Sequence, residues 1–237
     1  SDKADFEMEM YNADGSRGKM CGNGIRCVAK YVYDNGLTDH NPVTIESFGA
    51  VKTIELELLN GKVYRACVDM GEPCFDPAQI PFDEGKADEK TENLTPVSMG
   101  NPHAVIFSDD IEGSDPFLTG SEPITHGVFP EGLDLNLIGP RFEHHRAFPE
   151  GVNTEFVRVI DRGRIKMRVR ERGSGETLAC GTGACAAVAA SVLKGKTDRK
   201  VLVELAGGEL EINWNKEDGH IYMTGPCTTV FTGTVEE

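Results

Sequence analysis

No apolar run in this 237-residue sequence approaches the roughly 20 consecutive residues a membrane-spanning helix needs. Its first residues, Ser1-Asp2-Lys3-Ala4-Asp5, carry nothing like a signal-peptide pattern, so a cytosolic protein is the expectation. Basic residues are scarce: 24 Lys plus Arg stand against 39 Asp plus Glu, a formal net charge of -15. Phosphate backbones are bound by clustered cations, and the cations here are scattered among carboxylates, so a nucleic-acid partner is excluded and a small-molecule partner expected. A hydrophobic fraction of 39% with 27% charged residues argues against disorder of the whole chain. At roughly 100–200 residues per domain, the length suits one large domain or two small ones.

Most of what is present reads as strand. Pro42 to Phe48, Lys52 to Leu58 and Val63 to Val68 alternate or concentrate β-branched residues, and Asn60-Gly61 is a hairpin turn. A turn-rich acidic stretch from Gly71 to Asn93, with Pro73, Pro77, Pro81 and Gly85, reads as a linker or long loop. The second half has the same character. Thr154 to Ile160 and Arg164 to Arg170 flank Asp161-Arg162-Gly163, and strands recur at Lys200 to Leu205, Glu209 to Trp214 and His220 to Met223. Helical spacing is clearest after Gly22, where Ile25, Val28, Ala29 and Val32 share a face, and after Gly181, with Ala184, Ala187, Val188 and Val192. Asp134 to His145 is a third candidate, and His144-His145 at its end reads as exposed and without a role.

Both main helices open on the same motif. Met20-Cys21-Gly22-Asn23-Gly24 and Ala179-Cys180-Gly181-Thr182-Gly183 share Cys-Gly-[Asn/Thr]-Gly before an apolar helix, so the halves read as duplicated domains, each with a thiol at a helix N-terminus. Free N–H groups and the positive end of the helix dipole hold a carboxylate there and are expected to lower a neighbouring thiol's pKa. Glycine lets the backbone approach the anion, and Asn23 or Thr182 adds a donor. Two such loops facing each other would set a thiolate and a thiol on opposite faces of one carbon. That arrangement suits inversion by two bases without a cofactor.

Competing uses of cysteine fit less well. Seven cysteines, spread from Cys21 to Cys227, are an odd number unlike a compact disulfide scaffold. Zinc or iron–sulfur sites favour short spacings such as C-x2-C, whereas Cys21/Cys27 and Cys180/Cys185 lie six and five residues apart, so no metal is expected. Neither loop carries the lysine of a P-loop. Cys27, Cys67, Cys74, Cys185 and Cys227 read as buried small hydrophobes.

Taken together, these motifs resemble the diaminopimelate epimerase family. The resemblance rests on Asn12-Ala13-Asp14-Gly15-Ser16 with the first cysteine loop, Met99-Gly100-Asn101-Pro102-His103, Val152-Asn153-Thr154-Glu155-Phe156, and Glu171-Arg172-Gly173 running into the second loop. It covers essentially the whole chain in order. It implies pyridoxal-independent interconversion of LL- and meso-2,6-diaminopimelate in lysine and cell-wall precursor synthesis, with Cys21 and Cys180 as the two acid–base groups. Gly22, Asn23, Gly181 and Thr182 would hold the reacting end, and Asn12, Asn101, Asn153, Glu171 and Arg172 the distal end. His103 and Glu171 become candidates for orienting or deprotonating the thiols. On the residues alone, Arg168 to Arg172 could equally be a solvated strand face, and His103 an ordinary satisfied histidine.

The implied fold is α+β: two similar domains, each a curved, mostly antiparallel sheet around a central helix, with the active site in the cleft between them. The expected boundaries are 1–95, completed by a C-terminal strand within 226–237, and 96–225. No cofactor is implied, and a homodimer is. Family members open with several dozen further residues, including a His-Gly-x-Gly-Asn-Asp-Phe-like segment, so the first domain is expected to lack its opening strands here. The loop Gly113 to Gly132 reads as extended relative to the family. A proline- or hydroxyproline-type racemase shares the two-thiol logic without the distal Asn/Glu/Arg set, and a catalytically dead binding module is the reading from another class.

Overall fold

The computed structural model describes residues 1–234 except 12–14, 16, 18–19, 89–90, 92, 109–129 and 131. The chain forms two compact units, a smaller one of Ser1–Asp69 with the chain from Thr224 onward, and a larger one of Met70–Met223.

In the smaller unit, β1 (Phe6–Met8) pairs in parallel with β2 (Val43–Ser47), which continues antiparallel to β3 (Ala50–Leu59) and β4 (Lys62–Asp69). The expected hairpin turn is made by Asn60 and Gly61, both in the left-handed region at φ 52 and 77. Alternation along β2 and β4, with a register shift in β4 between Val63 and Arg65, sends Val43, Ile45, Val63, Ala66 and Val68 to one side. There they pack on Ile25, Ala29 and Val32 of α1 (Gly22–Asp34). Asp34 ties the helix end to β4, accepting from Lys30 Nζ at 2.6 Å and Val63 N at 2.9 Å.

The larger unit contains β5 (Leu94–Ser98), β6 (Pro102–Phe107), α2 (Leu135–Glu143), β7 (Asn153–Asp161), β8 (Arg164–Glu171), β9 (Gly175–Thr177), α3 (Gly181–Leu193), β10 (Lys200–Leu205), β11 (Gly208–Trp214) and the first half of β12 (Ile221–Pro226), whose residues from Thr224 belong to the smaller unit. Strand order is β12-β11-β10-β8-β7-β6-β5, with β9 beside β8. The β6/β7 and β8/β10 pairs are parallel, and β5/β6, β7/β8, β8/β9 and β10/β11 are antiparallel. Helix α3 contacts β5, β6, β7 and β11, near both ends of that order, so the sheet curls round it. Every residue from Gly181 to Ser191 is buried, and five alanines bring the strands close. On the opposite sheet face Ala104, Ile106 and Phe156 join Ile138 and Phe142 of α2 in a second core. Strand β6, covered on both faces, is buried throughout.

Several sequence-based expectations change. The chain divides at Asp69/Met70 rather than near residue 95. The reason is that the supposed linker packs within the larger unit: Cys74 and Ser98 exchange backbone hydrogen bonds, Asp83 N donates to Ala147 O, and Ile80 is wholly buried. The C-terminal strand is β12, and 227–234 form none, although the chain from Thr224 does cluster with the first 69 residues. His145 is buried, not exposed, because its ring takes Ala147 N on one nitrogen and meets the Asp88 carboxylate with the other. Cys27 is exposed, since it lies about 200° round the helix from Ile25. Cys67 and Cys74 are half-buried, Cys185 and Cys227 buried, and none of the seven cysteines is in a disulfide. The loop Gly113 to Gly132 lies almost entirely outside the described residues.

Candidate active site

Cys21 is the N-cap of α1, with φ -133 and ψ 106 in the extended region. That geometry turns its sulfur back over the first helical turn, where Sγ accepts from Gly24 N at 3.3 Å. The buried Arg26 guanidinium braces the same turn, donating from Nη1 to Gly22 O at 3.1 Å and from Nη2 to Asn23 Oδ1 at 3.0 Å. Arg26 belongs to none of the motifs in the sequence, and its place at i+3 from Asn23 and i+4 from Gly22 is the available signal. Asn12 lies outside the described residues.

Cys180 repeats this geometry at the start of α3, with φ -125, ψ 115 and Sγ accepting from Gly183 N at 3.4 Å. Here a chain of side chains leads away from the sulfur. Thr182 Oγ1 lies 3.5 Å from Sγ, Asn101 Nδ2 donates to that hydroxyl at 3.4 Å, and Asn101 Oδ1 lies 3.1 Å from His103 Nε2. His103 Nδ1 meets Glu155 Oε1 at 2.7 Å, with both side chains wholly buried. Both ring nitrogens of His103 are thus occupied, and its link to the thiol runs through Asn101 and Thr182.

Strand register explains the assembly. In the parallel β6/β7 pair, His103 stands beside Asn153 and Val105 beside Glu155, so period-2 alternation puts His103, Asn153 and Glu155 on the α3 face. Thr154 and Phe156 take the other face, Phe156 in the α2 core. Asn153 Oδ1 accepts from the backbone N of Arg172 at 2.8 Å, and Arg172 Nη1 donates to Glu150 O at 2.7 Å. From the α2 side, Glu143 accepts from Gly173 N at 2.8 Å and Arg170 Nε at 3.0 Å, gripping the turn that presents Arg172. Glu171 is oriented by a hydrogen bond from Thr177 Oγ1. The larger unit therefore gathers Asn101, His103, Asn153, Glu171, Arg172, Cys180, Gly181 and Thr182, and adds Glu155, Glu143 and Thr177. The spacing Asn153-x-Glu155 on one strand is the signal for Glu155.

Electrostatics separate Cys180 from the simple helix-terminus expectation. Burial first, and then the carboxylates of Glu171 and Glu155, push its thiol well above the ordinary range, outweighing Thr182 and the Gly183 N–H. Glu155 is likewise raised, by burial, against the opposing pull of His103. Among the described residues no group of three His, Cys, Asp or Glu is placed to hold a metal ion.

Residues 1–75 and 95–230 match the diaminopimelate epimerase family. The chain is 47% identical to the diaminopimelate epimerase of Acetivibrio thermocellus over 245 residues, covering all of this chain and 81% of that one. It is 49% identical to that of Methanococcus maripaludis strain S2, covering all of this chain and 82% of the relative. Among solved structures, a hydroxyproline epimerase from Agrobacterium vitis shares the fold with a TM-score of 0.61 at 14% identity, over 93% of this chain and 67% of that one.

Proposed function

The chain belongs to the diaminopimelate epimerase family of isomerases, and on that premise we propose that it interconverts LL- and meso-2,6-diaminopimelate with Cys21 and Cys180 as its two acid–base groups. Epimerisation needs one group to remove the α-proton and another to return a proton to the opposite face, with donors to stabilise charge on the adjoining carboxylate. The observation that carries the assignment is the matched pair of N-caps. Cys21 and Cys180 have nearly the same backbone torsions, and each sulfur accepts from the N–H three residues on. First-turn amides at Gly22 and Asn23, and at Gly181 and Thr182, suit the reacting carboxylate.

Burial and the neighbouring carboxylates favour the protonated thiol of Cys180, which suits it to give a proton in one direction while Cys21 takes one. Roles exchange in reverse. Arg172 suits the distal carboxylate and Glu171 the distal ammonium, with Asn12, Asn101 and Asn153 completing the grip. Among the described residues no helix is long and apolar enough to cross a membrane. A role in lysine and cell-wall precursor synthesis, and a homodimer in the cytoplasm, belong to the same proposal.

Incubation with LL-diaminopimelate in deuterium oxide should form meso isomer carrying deuterium at the inverted α-carbon, while proline and hydroxyproline remain unchanged. Cys21→Ala and Cys180→Ala should each lose at least about 10²–10⁴-fold in turnover with little change in melting temperature. No exchange by the unaltered protein overturns the function, and undiminished turnover in either variant removes that cysteine from the mechanism.

A further inference from the structure

Glu155 is a wholly buried carboxyl facing an alanine-rich helix. Such a group is costly to desolvate unless its charge is matched. Its surroundings match only half of it: Oε1 meets His103 Nδ1 at 2.7 Å, while Oε2 is buried with no hydrogen-bond partner among the described residues. The next inward position on the strand is the apolar, wholly buried Val157, so packing against α3 does not itself call for a carboxyl.

Two paths lead from Glu155 to the Cys180 sulfur. The short path is through space: a Cβ built on Gly183 would lie 2.6 Å from Glu155 Oε1 and 3.3 Å from Cys180 Sγ. The carboxyl is therefore pressed against the residue whose N–H bonds the sulfur. The long path is the side-chain series, which has a direction. Asn101 Nδ2 donates to Thr182 Oγ1, Asn101 Oδ1 takes a hydrogen from His103 Nε2, and between Thr182 Oγ1 and Cys180 Sγ either atom can be the donor.

We propose that Glu155 is a positioning residue that keeps Cys180 in its thiol form between turnovers, by placing its carboxyl behind Gly183, and that aligns the His103–Asn101–Thr182 series, whose threonine hydroxyl turns its hydrogen to the sulfur when the thiol proton leaves. This rests on Cys180 being an acid–base group of the epimerase. The ionisable groups around the sulfur and the carboxyl are His103 on β6, Glu155 on β7 and Glu171 at the end of β8. Thr177 hydrogen-bonds Glu171, and the His103 ring meets Glu155. The upward displacement of the Cys180 thiol agrees with this placement.

The test is Glu155→Gln, which keeps shape and hydrogen-bonding capacity but cannot take the imidazole proton or bear charge. Cys180 alkylation by iodoacetamide, followed by peptide mass spectrometry against pH without substrate, should reach half-maximal rate at a pH about one unit lower than in the unaltered protein. In the epimerase assay kcat should fall by about 10²-fold with KM changed by no more than about threefold, and Glu155→Asp should recover part of kcat. If the variant does not fold, Glu155→Met, with an apolar chain of similar volume, is read the same way. An unmoved alkylation midpoint with kcat near that of the unaltered protein overturns the proposal. The alkylation readout needs no turnover, so it stands apart from the function itself, which fails only if the unaltered protein neither epimerises nor exchanges.

Discussion

Glycine at the fourth position of each cysteine loop illustrates how far two equal motifs differ at the scale of single residues. A methyl group on Gly183 would meet Glu155 Oε1 at 2.6 Å, and that carboxyl is walled in. On Gly24 it would meet Cys21 Cβ and Sγ at 3.4 Å and Met8 Sδ at 3.7 Å, ordinary contact distances. Gly183→Ala should therefore destabilise the protein by about 1–3 kcal/mol through overpacking, whereas Gly24→Ala should be neutral or stabilise by up to about 1 kcal/mol through helix propensity. Urea unfolding of the two variants checks this, and equal effects would contradict the asymmetry. The cysteines, both loops and His103 are legible from residue type and motif. Glu155 has only its spacing from Asn153 to mark it, because one polar residue in an alternating strand looks like a solvated position until the facing helix is known. Cys27 and His145 mislead for the same reason: exposure depends on which neighbour covers a face.

At the scale of elements, strands with one covered face are plain in the sequence, as in the β3–β4 and β7–β8 hairpins. Strands β5 and β6 escape, being short, proline-containing and, for β6, covered on both faces so that no alternation survives. The stretch from Gly71 reads as a linker because its turns are local, whereas what fixes it is non-local pairing with Ser98 and Ala147. Helix α2 shows how packing serves the site. Its Glu143 accepts from Arg170 Nε and Gly173 N, and Gly139 leaves room for the Arg170 side chain, since a Cβ there would fall 1.8 Å from Arg170 Cδ. Glu143→Ala would strand the largely buried Arg170 charge and release the turn before β9. A loss of about 3 kcal/mol in stability is expected, with KM rising more than kcat falls, because Arg172 is assigned to substrate grip rather than proton transfer. Unfolding and steady-state assays read the two effects separately, and an unchanged KM would detach Glu143 from the binding turn.

For the whole molecule, buried thiols make stability depend on alkaline pH. Cys180, through burial and neighbouring carboxylates, and Cys227, through burial, both have raised pKa values when folded. A raised folded pKa means the native state keeps a proton that the unfolded chain releases near about pH 8.5. Their stabilising contribution is complete below that pH and is lost as pH climbs towards the folded values. Urea midpoints should decline from about pH 8.5 upwards, and Cys180→Ser should lessen the slope by up to about 1.4 kcal/mol per pH unit. An unaltered slope would show the thiol to be no more protected than in the unfolded chain. The central claim, inversion by two sulfurs, has its most direct test in the first turnovers with LL-diaminopimelate in deuterium oxide. Two bases predict meso product deuterated at one α-carbon from the start, its new hydrogen coming from a solvent-equilibrated thiol, while unreacted LL substrate is still protiated. Meso product retaining the substrate's own α-hydrogen would mean that a single group carries the proton across, and would contradict the account.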